Sequence, residues 1–189
     1  MPRYPVGKLP HRQLERLLQR FAPTDRPDVL IGPRVGQDAA VLRLPPRRRS
    51  SPGQWTLVAA TDPVTFTAER IGWYAVQINA NDVAVMGATP RWFLACLLLP
   101  QRWPHRPARI FDDIATACRE LHVAAVGGHT EVTAGLDRPI VIGQMLGLAR
   151  TDCIVHADRA RPGQAIIMTK SAAIEATAII ARQHARRLA

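Results

Sequence analysis

The chain has 189 residues, 47% of them hydrophobic and 21% charged, and a formal net charge of +10. That length supports one domain with its own core and the start of a second, and the hydrophobic share excludes wholesale disorder. No uncharged apolar run approaches the ~20 residues of a membrane span, and Met1-Pro2-Arg3-Tyr4-Pro5 lacks an apolar signal core, so a cytoplasmic protein without a membrane partner is expected.

Cys96, Cys118 and Cys153 lie far apart without CxxC spacing, which argues against a disulfide framework or a zinc site. The positive charge is dispersed arginine, apart from the run Arg47-Arg48-Arg49 in a Pro- and Ser-rich stretch that reads as a solvated loop. No zinc-finger spacing or RNP-like aromatic motif accompanies it, so a nucleic-acid partner is not expected.

In chain order, residues 10–21 carry Leu14, Leu17, Leu18 and Phe21 at helical spacing. Strands are predicted at 28–32, 38–44 and 55–61, the last stopped by Asp62-Pro63 and preceded by a dispensable loop at 45–53. A long apolar helix covers 68–86 and ends at Gly87. The apolar run 91–99 reads as a strand buried on both faces. A second amphipathic helix at 107–121 turns Ile110, Ile114, Ala117 and Leu121 inward. Strands follow at 123–126 and 140–148, the second with Gly143 and Gly147 on one face where a neighbour comes close. A turn at Arg161-Pro162-Gly163, a strand at 165–169 and a helix from 171 complete the chain. This order predicts an α+β fold with a mixed sheet over residues 1–150, and 151–189 reads as the opening of a second, incomplete domain.

Four acids stand in apolar surroundings: Asp38 before Ala39-Ala40-Val41, Asp62 after a strand, Asp82 inside the long helix, and Glu131 beyond Gly127-Gly128. Carboxylates that converge repel one another unless a cation sits between them. Hard oxygen ligands suit magnesium, which takes one or two carboxylates together with phosphate oxygens and water. Asn79 and Asp82 are three apart and share a helix face, while Gly127-Gly128 lets backbone N–H groups approach a phosphate. Each residue also has a purely structural reading. Asp38 and Asp62 serve as turn formers, Asp82 as a buried hydrogen-bonder, Glu131 as a solvated acid and His129 as a packing residue. No Walker, Rossmann, nucleophile-elbow or HExxH pattern is present.

Taken together, Gly36-Gln37-Asp38-Ala39-Ala40-Val41, Thr61-Asp62-Pro63, Asn79-Ala80-Asn81-Asp82-Val83-Ala84-Val85-Met86-Gly87-Ala88 and Gly127-Gly128-His129-Thr130-Glu131 resemble, in order and spacing, the N-terminal domain of the aminoimidazole ribonucleotide (AIR) synthase superfamily. That group includes AIR synthase (PurM), the hydrogenase maturation factor HypE, thiamine-monophosphate kinase and selenophosphate synthetase. The phrases Asp62-Pro63-Val64-Thr65-Phe66, Gly72-Trp73-Tyr74-Ala75-Val76 and Gly128-His129-Thr130-Glu131-Val132-Thr133 are most similar to HypE-like, AIR synthase-related proteins.

The resemblance implies helices on one face of the sheet, a homodimer paired through that sheet, and ATP activating a substrate oxygen by phosphoryl transfer. It implies magnesium on Asp38, Asp62 and Asp82; His129 stands where HypE and thiamine-monophosphate kinase carry an aspartate, so that ligand is either missing or supplied by Glu131. Gly127, Gly128, Thr130 and Asn79 would line the ATP site, and Lys8 would contact a phosphate. Catalytic residues and the acceptor are not assigned by it. The absence of an N-terminal cysteine argues against selenophosphate synthetase. Without a full second domain the chain is expected to be incomplete for catalysis. The alternatives are a non-catalytic dimeric interaction module, or another activity of the group such as thiamine-monophosphate kinase.

Overall fold

The computed structural model describes residues 10–21, 26–45, 54–67, 69–104 and 106–185; Lys8 and most of the loop at 45–53 lie outside the described residues. The elements are α1 (His11–Phe21), β1 (Val29–Ile31), β2 (Ala40–Arg43), β3 (Trp55–Val64), α2 (Ile71–Ala84), β4 (Thr89–Pro100), α3 (Ala108–Glu120), β5 (Ala124–Thr133), β6 (Ile140–Arg150) and α4 (Ile174–Gln183). They divide into two compact units, Met1–Ala157 and Asp158–Ala189.

The first unit holds a six-stranded mixed sheet in the order β1-β2-β3-β6-β4-β5. Every neighbouring pair is antiparallel except β4 and β5, which run parallel. A parallel pair cannot be joined by a tight turn, and α3 is the crossover that joins this one. Strand residues alternate between the two faces. Val58, Val64, Phe93, Leu97, Val141 and Met145 turn to the side of α2 and α3 and are fully buried or nearly so. Ile71, Ala75, Val76, Ala80 and Val83 of α2, with Ile110, Ile114 and Ala117 of α3, close the core over them. Burial of such side chains stabilises by roughly 1.5–3 kcal/mol each. The opposite face carries half-buried Leu57, Leu94, Leu98, Leu146 and Leu148, with no helix of the α2–α3 layer above it.

Several boundaries differ from the sequence reading. The third strand continues through Asp62-Pro63 to Val64, because β6 stays paired with it as far as Val64–Val141. The strand predicted at 123–126 runs on to Thr133 as the edge of the sheet, where alternation of hydrophobic residues gives no signal. In α3 the inward position falls to buried Cys118, whereas Leu121 is exposed beyond the helix end.

In the second unit the strand predicted at 165–169 is not formed. A strand needs a ladder partner for its backbone groups, and no described strand pairs with this segment. Its Ile166, Ile167 and Met168 are exposed. The helix there begins at Ile174, after Ala173 in a left-handed conformation. No described helix is long and apolar enough to cross a membrane.

Candidate functional site

The geometry of the site begins with Asn79 on α2, which is completely buried. Its side-chain Oδ1 accepts the N–H of Asp62 at 2.8 Å, and its Nδ2 donates to the Asp62 carbonyl at 3.1 Å and to the Ala75 carbonyl at 2.8 Å. The amide therefore grips the backbone of Asp62 from both sides, which is how β3 passes through Asp62 without losing its hydrogen bonds. Asp62 itself is half-buried.

Room for this grip comes from Gly143, the residue opposite Asp62 on β6. A Cβ there would overlap Asn79 Nδ2 and press on Asn79 Cγ and Phe93 Cε2, each at 2.8 Å. The glycine reflects this close approach rather than a turn.

Cross-strand register carries the same level across the sheet. Asp62 faces Gly143, Gly143 faces Ala95 on β4, and Ala95 faces Gly128 on β5. Asp38 precedes Ala40, the partner of Ala59, by two residues, so it stands at the end of β2 nearest Thr61. The sheet thus brings Asp38, Asp62 and Gly128 to one level. Asp62 and Gly128 are three strand spacings apart, about 14 Å. Asp82, one turn beyond Asn79 on α2, is half-buried, whereas Asp38 is exposed.

Glu131 is not brought to the others. It pairs with Leu98 three residues further along β5 and turns to the face away from α2 and α3. There Thr133 Oγ1 donates to its Oε1 at 2.8 Å, and His129 Nε2 lies 3.2 Å from its Oε2. These two partners, Thr133 first, hold the exposed carboxyl below its ordinary range.

Among the described residues no three His, Cys, Asp or Glu side chains stand close enough to hold a metal ion unaided. Magnesium does not require such a cage, because phosphate and water normally complete its shell. One observation bears on the fit. The side-chain Oε1 of Gln37, next to Asp38, is buried without a hydrogen-bond partner. An orphaned buried acceptor costs about 1–3 kcal/mol, and a hydrated cation or ligand donor beside Asp38 would satisfy it. Sequence reasoning missed Gln37; its place immediately before the acid was the only available signal.

Gly127, Gly128 and Thr130 line a cavity of about 310 Å³ with Phe93, Phe111 and Ile114. Val126 is an extra residue in the β5 ladder, since Phe93 faces Ala125 while Leu94 faces Gly127. Such bulges re-aim a strand. Gly128 follows at φ +151°, with Ala95's carbonyl oxygen occupying the place a Cβ would take.

A fold with a mixed sheet, one helical layer and this row of motif residues defines an AIR synthase-type N-terminal domain. Residues 36–149 match the family described as AIR synthase related protein, N-terminal domain, and the chain belongs to that family. It is 34% identical over 144 residues to the hydrogenase expression/formation protein HupE of Azotobacter chroococcum mcd 1, covering 72% of this chain and 40% of that protein. The structure of the hydrogenase maturation protein HypE in complex with ATP aligns with a TM-score of 0.50 at 28% identity, over 84% of this chain and 45% of that one. ThiL, the thiamine monophosphate kinase of Aquifex aeolicus, in its complex with AMPPCP and TMP, aligns with a TM-score of 0.57 at 20% identity, over 79% and 44%. That last likeness concerns the fold alone. The chain spans less than half the length of each of these relatives.

Proposed function

We propose that this chain is the magnesium-ATP-binding domain of a HypE-like, AIR synthase-related protein that activates a substrate oxygen by phosphoryl transfer. The observation that carries the reading is the grip of Asn79 on Asp62, which fixes that acid at the level of Asp38 and Gly128. In this reading Asp38, Asp62 and Asp82 hold the magnesium, and Gln37 presents its spare acceptor to a water of the metal shell. Backbone N–H groups of Gly127 and Gly128, the Thr130 hydroxyl and Lys8 face the phosphates. Asn79 contributes by positioning, since its amide is engaged within the fold. ATP with magnesium supplies a phosphoryl group whose charge is neutralised by the ion, so the protein's part is placement and electrostatics.

The half-buried apolar face of the sheet supports a homodimer, with a second copy packing over Leu57, Leu94, Leu98, Leu146 and Leu148. A second reading, a dimeric interaction module without catalysis, draws on Glu131, whose carboxylate is tied to Thr133 and His129 away from the other acids.

Thermal unfolding with ATP tests the first reading. A ligand at a hundred times its Kd adds about 2.7 kcal/mol to stability. The melting temperature should rise with ATP in magnesium and return to the unliganded value when EDTA is added. An equal melting temperature in all three conditions would favour the interaction module.

A further inference from the structure

Gly127, Gly128 and Thr130, which the proposed site offers to the phosphates, also form one wall of the cavity between α3 and β5. We propose that this cavity receives the base of the same nucleotide and that Phe111 stacks on it. This rests on the magnesium-ATP reading and extends it to the end of the ligand that the acidic row does not touch. No Asp, Glu, Lys or Arg is among the lining residues, so charge belongs at the polar wall and a neutral ring behind it. A volume of about 310 Å³ is at the lower end of the ~300–1,000 Å³ typical of small-molecule sites, which fits one end of a ligand whose other end stays outside.

Phe111 is the ring that a guest can reach. It is 50% exposed although α3 covers the core, whereas Phe93 is fully buried and serves only as the floor. Phe111 and Ile114 are three apart and share a face of α3. Ile114 is buried, so the core fixes that face while the Phe111 ring stands at its margin. An aromatic plane against a base stabilises by stacking, whichever base it is. The polar edge of the base also has a counterpart. β5 ends the sheet, and among the described residues no strand pairs with the outer row of its backbone N–H and C=O groups.

The order of these features suits one elongated ligand. Asp62 and Gly128 stand at one level of the sheet, about 14 Å apart across three strand spacings. The metal-bound end of the phosphate chain lies at the acids, its other end reaches Gly127-Gly128, and the base enters the cavity beyond them. A nucleoside triphosphate presents its charges and its ring in that order.

ATP and inorganic tripolyphosphate, each with magnesium, are the probes, titrated by calorimetry into the full chain. Phe111→Ala removes a half-exposed side chain and leaves the core intact. It should weaken ATP at least fivefold, the worth of one stacked base, and leave tripolyphosphate unchanged. Phe111→Trp keeps an aromatic plane and should bind ATP within about twofold of wild type. Ala125→Leu fills the cavity from an exposed position in register with Phe93; it should weaken ATP roughly tenfold and again spare tripolyphosphate. The base pocket is overturned if Phe111→Ala and Ala125→Leu bind ATP as tightly as wild type, or if they weaken tripolyphosphate as much as ATP. A folded wild type that binds neither probe would instead count against the magnesium-ATP reading itself, and the base pocket would fall with it.

Discussion

The amide of Asn79 treats the backbone of Asp62 as a neighbouring peptide would, accepting its N–H at 2.8 Å and donating to its carbonyl at 3.1 Å. This pair joins two motifs that lie 17 residues apart, and it explains why an asparagine is tolerated in the centre of an otherwise apolar helix face. All three of its hydrogen bonds are internal, so its burial costs no unsatisfied group.

Replacing Asn79 with alanine should therefore destabilise the domain by about 2–4 kcal/mol, because the Asp62 backbone groups lose their partners as a small void opens. Urea unfolding measures this. The change should also loosen Asp62, which would appear as faster amide exchange at residues 61–63.

Glycine positions give a sharper contrast. Gly128→Ala directs a methyl onto the Ala95 carbonyl oxygen inside the β4–β5 ladder, whereas Gly135, at φ +79°, has nothing within 4 Å of the corresponding position. Gly135→Ala should cost about 1 kcal/mol of backbone strain. Gly128→Ala should cost more than twice as much and shift NMR signals along both strands.

Acid stability should respond to Arg150. Its guanidinium donates to Asp152 at 2.7 and 3.0 Å, and that bond holds the Asp152 carboxyl down to about 2. A carboxyl whose folded pKa lies below its unfolded value, near 3.9, contributes stability above that value and loses it as pH falls towards 2. Both partners are fully exposed, so the contribution is small. In Arg150→Ala, the Asp152 carboxyl signal followed by carbon NMR should titrate within the ordinary aspartate range.

The three thiols should separate by access. Cys153 is exposed, Cys96 is half-buried and Cys118 is buried, and burial raises the Cys118 thiol above its usual pKa. The thiolate is the reactive form. A disulfide reagent at neutral pH should therefore modify Cys153 first and reach Cys118 only on unfolding.

Much of the fold was legible because periodicity reports burial. Helix 107–121 and strand 140–148 were placed to within two residues by their apolar spacing, and Gly143 and Gly147 were read correctly as positions of close approach. The second half of edge strand β5 escaped because its residues face water almost throughout, so no alternation marks Gly127–Thr133. The segment 165–169 misled for the opposite reason: its composition suits a strand, but pairing is a property of the neighbourhood, and no described strand stands beside it. For the proposed site, the ordered motifs named Asp38, Asp62 and Asp82, of which register places Asp38 and Asp62 at one level of the sheet. Separation of Glu131 onto the other face was invisible, since it depends on the bulge at Val126 and on register with β4. The engagement of Asn79 with backbone was likewise hidden, because spacing on a helix says which residues share a face and not what that face meets.

The most direct measurement is calorimetric titration of ATP into the wild-type chain and into Asp82→Ala, with and without magnesium. Wild type should bind only when magnesium is present, and Asp82→Ala, still folded, should lose at least tenfold in affinity. A folded wild type that takes up no ATP with magnesium, or an Asp82→Ala variant that binds as tightly as wild type, would contradict the account of the acidic row as a magnesium-ATP site.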